Sequence, residues 1–145
     1  MLDFVEFLHL SMSVFALPIV FENTAGIIAA HSDGYALVRY HALTRRSNDL
    51  RNLLEYLGSF LVNRGWQRIL CDARNMKALT LDEQRWMQEQ WYPSNVMRPN
   101  QLSTVYLSGE DASVQLLLEE LAPVVQTPPT FNSLQEAQTY LAGRS

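Results

Sequence analysis

The sequence predicts an α/β domain: a small mixed β-sheet, with an N-terminal antiparallel meander followed by parallel β–α units, flanked by about four helices. Three observations carry this. Two β-prone runs, Gly26-Ile-Ile-Ala-Ala-His31 and Tyr35-Ala-Leu-Val-Arg-Tyr-His41, enclose Ser32-Asp33-Gly34, and Asp-Gly between apolar runs marks a tight antiparallel turn. Leu50, Leu53, Leu54, Leu57, Phe60 and Leu61 then recur at intervals of three and four, the spacing of one helix face. After Gly65, short apolar runs alternate with amphipathic segments, the pattern that builds parallel strands joined by helices.

The elements follow in order. Ile19-Val-Phe21 is a first short strand, paired with the hairpin that follows it. The leucine stripe predicts a helix from about residue 44 to Arg64, stopped by Gly65, which takes a left-handed conformation without steric penalty. Arg68-Ile-Leu-Cys-Asp72 is a short apolar run bounded by turns, as expected of a strand covered on both faces. Thr80 and Glu83 have the spacing of a capping box, so a helix starts at Thr80, and Pro93 blocks it beyond Tyr92. Leu102-Ser-Thr-Val-Tyr-Leu107 is the next strand, and Val114, Leu117, Leu118 and Leu121 predict a further helix ended by Pro123. The run Pro129-Thr-Phe131 is extended, and Ser133 with Glu136 forms a second capping box for a terminal helix burying Leu134, Ala137 and Leu141. Residues 1–18 read as an N-terminal extension and residues 19–142 as one domain.

At 145 residues the chain can bury a core without disulfides or metal staples. Its 48% hydrophobic and 18% charged residues are globular values, which excludes a disordered, collagen-like or coiled-coil chain. The net charge is −4 and the arginines are scattered among acidic residues, so no basic stripe is available to neutralise phosphates and nucleic acid is not an expected partner. Cys71 is the single cysteine and lies in an apolar run, which excludes an internal disulfide and fits a small core hydrophobe in a reducing cytoplasm. The first ten residues carry Asp3 and Glu6 where a signal peptide needs basic residues, and their apolar run is too short to span a membrane.

Equipment for catalysis is sparse. His9, His31 and His41 have no metal-ligand spacing, and there is no G-x-S-x-G elbow, phosphate loop or dinucleotide fingerprint. No cofactor or metal is expected. Asp72 stands where the central strand reaches the carboxyl edge of the sheet, the side on which open α/β sheets bind ligands. It can accept from a ligand, or it can tie down the following loop and pair with Arg74. Arg74 can in turn bind an anion bidentately. Trp86 and Trp91 are five apart, about 140° around an α-helix, so one is expected in the core and the other at the domain boundary. A boundary tryptophan beside Tyr92 and Pro93 would serve as an interface or ligand anchor.

The stretch Gly65-Trp66-Gln-Arg-Ile-Leu-Cys-Asp72, the helix with Trp86 and Trp91-Tyr92-Pro93, and the ending Phe131-Asn-Ser-Leu-Gln-Glu136-Ala137-Gln-Thr-Tyr-Leu141 together resemble the bacterial SpoIIAA-like branch of the STAS superfamily. The resemblance covers about residues 19–141. It implies a mixed sheet flanked by helices that works as an interaction module and not as an enzyme. In the anti-sigma-factor antagonists of that superfamily, a serine directly after the strand-ending aspartate is phosphorylated to switch partner binding. Here Asp72 is followed by Ala73, which has no hydroxyl, and Thr80 is accounted for as a helix cap.

The expected function is therefore a non-enzymatic cytoplasmic interaction or regulatory module that lacks the phosphorylatable serine. Its candidate binding residues are Asp72, Arg74, Trp86, Trp91 and Tyr92. The alternative is a carrier for a small apolar or anionic ligand. A second copy of the chain, a protein partner or a small ligand is the expected company, with no membrane span. A closed apolar cavity near Trp86 would favour the carrier, and a flat exposed aromatic patch the module.

Overall fold

A computed structural model describes residues 17–108 and 129–143. They form a six-stranded mixed sheet whose spatial order equals its chain order: β1 (Ile19–Glu22), β2 (Gly26–His31), β3 (Tyr35–Tyr40), β4 (Arg68–Asp72), β5 (Ser103–Leu107) and β6 (Thr130–Phe131). The first three strands are antiparallel, while β3–β4, β4–β5 and β5–β6 pair in parallel. The hairpin forms at the expected residues: His31 pairs with Tyr35, and Gly34 takes φ 86° in the turn between them.

Helix α1 (Asp49–Arg64) fills the connection from β3 to β4 and ends at Gly65, whose left-handed φ of 69° lets its amide reach the carbonyls of Leu61 and Val62. It begins later than the leucine periodicity suggests. The amide of Arg46 donates to the Thr24 hydroxyl, and the Asp49 carboxylate accepts from the Thr24 amide and hydroxyl, at 3.0 and 2.6 Å. These bonds hold residues 44–48 as a loop, and Asn48 enters the helix from φ 72°.

α1 lays Leu50, Leu53, Leu54, Leu57 and Leu61 on one face of the sheet, against Ile28, Val38, Ile69 and Cys71. The opposite face is served by α3 (Leu134–Ala142), whose Ala137 and Leu141 pack on Tyr35, Leu70, Val105 and Leu107. β4 thus buries alternate residues on both faces, as its continuous apolar run requires. The Ser133 hydroxyl accepts the Glu136 amide at 3.4 Å, which supplies the Ser133 half of the second expected box. The helix expected around residues 114–121 lies outside the described residues, which contain three helical segments.

The segment between α1 and α3 in the chain departs from the expected single α-helix. The Thr80–Glu83 capping box is present in both directions and starts α2 (Leu81–Trp86). From Met87 to Trp91 the chain continues as a π-helix, with the Tyr92 amide reaching back to the Met87 carbonyl and the Asn95 amide to that of Gln90, both at 2.9 Å. π-Turns of this kind are uncommon and recur at functional sites. Behind it, the loop before β5 crosses α1 at Gly58, where a Cβ would stand 1.9 Å from the Met97 carbonyl oxygen. Only a glycine permits that approach.

Among the described residues no helix is long and apolar enough to cross a membrane.

Candidate functional site

Side chains alternate along strands, so the parallel register that sets Arg39 beside Asp72 also places both on the α3 side of the sheet, at its carboxyl edge. Asp72 is buried, at 5% exposure. Its carboxylate is fully engaged. Arg74 grips it bidentately, Nε to Oδ1 and Nη2 to Oδ2 at 2.9 Å each, and adds its backbone amide at 3.3 Å. Arg39 Nε donates to Oδ2 at 3.1 Å. Burial is the largest single influence on this carboxyl and pushes its pKa up. The Arg74 hydrogen bonds and charge, with the Arg39 charge, together outweigh burial and hold it below the usual carboxylate range. The same bond pushes the Arg74 guanidinium up.

Asp72 is therefore an anion at neutral pH that anchors the start of the 73–79 loop. Ala73 follows it fully buried, with its amide bonded to the Leu107 carbonyl. Met76 and Leu79 turn inward, so the loop lies flat against the core.

The aromatic residues occupy the other face. Trp91 is buried at 5% exposure. The Arg98 guanidinium lies 4.8 Å from its ring, and Arg98 Nη1 donates to the Trp91 carbonyl at 2.8 Å. The π-turn makes this contact available, because Trp91 sits at its end with its carbonyl turned towards the following loop. Tyr92 is half-buried and hydrogen-bonds Tyr106. Burial drives the Tyr92 hydroxyl up to about 12, and Tyr40 and Tyr106 well above the ordinary phenol value. Cys71 belongs to the same interior, is unpaired, and has its thiol pushed up to about 12, first by burial and then by the Asp72 charge. A thiol so protected stays protonated and chemically inert at neutral pH.

Trp86, the remaining candidate, is half-buried and opens onto a groove of about 650 Å³ between the N-terminal end of α1 and the outer face of α2. One wall carries Arg46, Ser47, Asn48 and Arg51; the other carries Asp82, Arg85 and Glu89. The Arg51 guanidinium lies 5.7 Å from the Trp86 ring centre. The two walls are joined by Arg45, whose side chain is 4% exposed. Its Nε and Nη2 each meet a Glu83 carboxylate oxygen at 2.7 Å, and it also donates to the carbonyls of Lys77 and Ala78. Burial again acts first and upward on Glu83, and the Arg45 bonds and the Thr80 amide bring its pKa below normal.

The structure thus divides the five sequence candidates into three places. Asp72 and Arg74 form one cluster at the carboxyl edge, Trp91 and Tyr92 are built into the interior on the opposite face, and Trp86 lines a surface groove. The residues around Trp86 that sequence reasoning passed over are Arg45, Arg46, Arg51 and Arg85, read there as scattered charges. The adjacent pair Arg45-Arg46 at the foot of the leucine-striped helix was the signal available; its nearness to Arg85 depends on how two helices pack. Among the described residues no group of three His, Cys, Asp or Glu side chains could hold a metal ion. His31 stacks on Tyr35 and His41 lies 3.3 Å from Glu22.

No family model matches the chain, and neither a curated protein nor a solved structure matches it significantly.

Proposed function

We propose that this chain is a non-enzymatic cytoplasmic interaction module of the STAS, SpoIIAA-like kind, and that it engages its partner through the groove beside Trp86. The observation that carries the reading is the contrast between two polar clusters. At the carboxyl edge the Asp72 carboxylate is already occupied by Arg39 and Arg74. At the groove, Arg46, Arg51, Arg85, Asp82 and Glu89 form no ion pair among the described residues, around a half-buried tryptophan. Tryptophan and arginine are the residue types enriched where a partner binds.

The groove is only partly enclosed, and charged side chains stand on both of its walls, whereas sites for small molecules are lined mainly by apolar side chains with a few polar groups. This favours a module over a carrier. The buried Ala73 fits a module whose regulation does not run through that position.

Native mass spectrometry of the purified chain tests the reading. The module predicts the mass of the bare protein, as a single copy or a symmetric pair. A stoichiometric small-molecule adduct that disappears on denaturation would replace it with the carrier.

A further inference from the structure

The charges around the groove specify the partner further, on the premise that the groove is the working surface. Arg45 and Glu83 neutralise each other within the protein. What remains is asymmetric. The α1 side contributes Arg46 and Arg51 to the lining and no carboxylate, whereas the α2 side alternates Asp82, Arg85 and Glu89. With the Arg45–Glu83 pair set aside, the lining keeps Arg46, Arg51 and Arg85 against Asp82 and Glu89, an excess of one positive charge gathered on the α1 side, on a chain whose net charge is −4. We infer that the groove docks an acidic peptide segment of a partner protein, with Asp or Glu side chains turned to Arg46 and Arg51 and with neutral or basic ones turned to the mixed α2 wall.

Guanidinium groups favour this class of partner, because their planar forks match carboxylates bidentately. The two α2 carboxylates argue against a polyphosphate backbone. Such a strand carries a negative charge at every step and would meet Asp82 and Glu89 wherever it lay along the groove. A peptide can vary its side chains from one wall to the other. Trp86 gives it an apolar surface to cover, and Arg51 is already held over that ring, which lowers the entropy lost when it pairs.

Three fluorescein-labelled decapeptides test this directly, alternating Ser with Glu, with Gln or with Lys, titrated by anisotropy against the full chain. The Glu peptide should bind, more weakly as salt rises, and the Arg46→Ala/Arg51→Ala double variant should bind it about tenfold less tightly, the size expected for losing two partly exposed pairs. Arg64→Ala should leave binding unchanged, since that guanidinium sits over Phe60 and Trp66, whereas the groove is lined by the other end of α1. Arg85→Ala, a second groove variant on a separate element, should also weaken binding of the Glu peptide, and thermal melts check that all variants fold. Equal binding of the Glu peptide by wild type and double variant overturns the inference. Preference for the Gln or Lys peptide, weakened by Trp86→Ala, overturns the acidic partner and leaves the groove its interaction role. Binding of no peptide overturns the acidic partner too, and an adduct in the native mass spectrum would then overturn the module itself.

Discussion

Arg45 and Glu83 are bonded at both carboxylate oxygens, 2.7 Å each, and one of those oxygens simultaneously accepts the Thr80 amide at 2.8 Å. A single carboxylate thus caps α2 and fastens it to the loop that leads into α1. Because Arg45 also satisfies two carbonyls of the 73–79 loop, its loss would expose three elements at once. Arg45→Ala is expected to destabilise the protein by about 2–4 kcal/mol, more than an ordinary surface pair, because it leaves a half-buried carboxylate without its partner. A double-mutant cycle with Glu83→Gln, read by urea denaturation, should give a coupling of at least about 0.5 kcal/mol. Strict additivity would show that the pair does no structural work.

Asp72 and Glu83 both have pKa values lowered in the folded chain. A depressed carboxyl binds protons more readily when unfolded, so its contribution is complete above the unfolded value, near 4, and is lost as pH falls through the folded value. Stability should be flat near neutral pH and decline progressively below about pH 4–5. In Asp72→Asn that decline should be shallower and the neutral-pH stability lower, since Arg39 and Arg74 lose their shared anion. Parallel wild-type and variant curves of unfolding midpoint against pH would refute the assignment.

Gly58 is the point where α1 meets the loop that carries Arg98. A methyl group added there would overlap the Met97 carbonyl oxygen, and the neighbour is backbone, which cannot rotate away. Gly58→Ala should therefore destabilise by about 1–3 kcal/mol, although the same change in an exposed helix would gain up to about 1 kcal/mol. A raised melting temperature would mean that the loop moves aside freely.

The two tryptophans of α2 and its π-helical continuation should separate in their effects. Trp91→Ala removes a buried ring and the platform for Arg98, at a cost of about 3–5 kcal/mol, and should broaden or abolish the melting transition. Trp86→Ala should leave cooperative unfolding intact, with a smaller loss, and act on binding instead. Equal destabilisation by both would place Trp86 in the core.

The hairpin at Asp33-Gly34, the leucine face of α1, the Gly65 stop and the Thr80–Glu83 box were legible because each is a local matter: a backbone conformation, a periodicity or a bond between residues three apart. The pairing of Asp72 with Arg74 was equally local and stood among the sequence alternatives. The late start of α1 was not legible, since Thr24 is drawn to Asp49 and Arg46 across a chain separation that periodicity does not register. Nor was the π-turn, where the helical pattern of residues 80–92 gives way to packing of Trp91 under Arg98. The sequence by itself determined the fold class and the inward faces of its elements, because apolar spacing and capping act over one or two turns. Tertiary structure alone decided that Arg39 meets Asp72 through strand register. It alone brought Arg46, Arg51 and Arg85 to one groove, because the approach of charges on separate elements is fixed by how those elements pack.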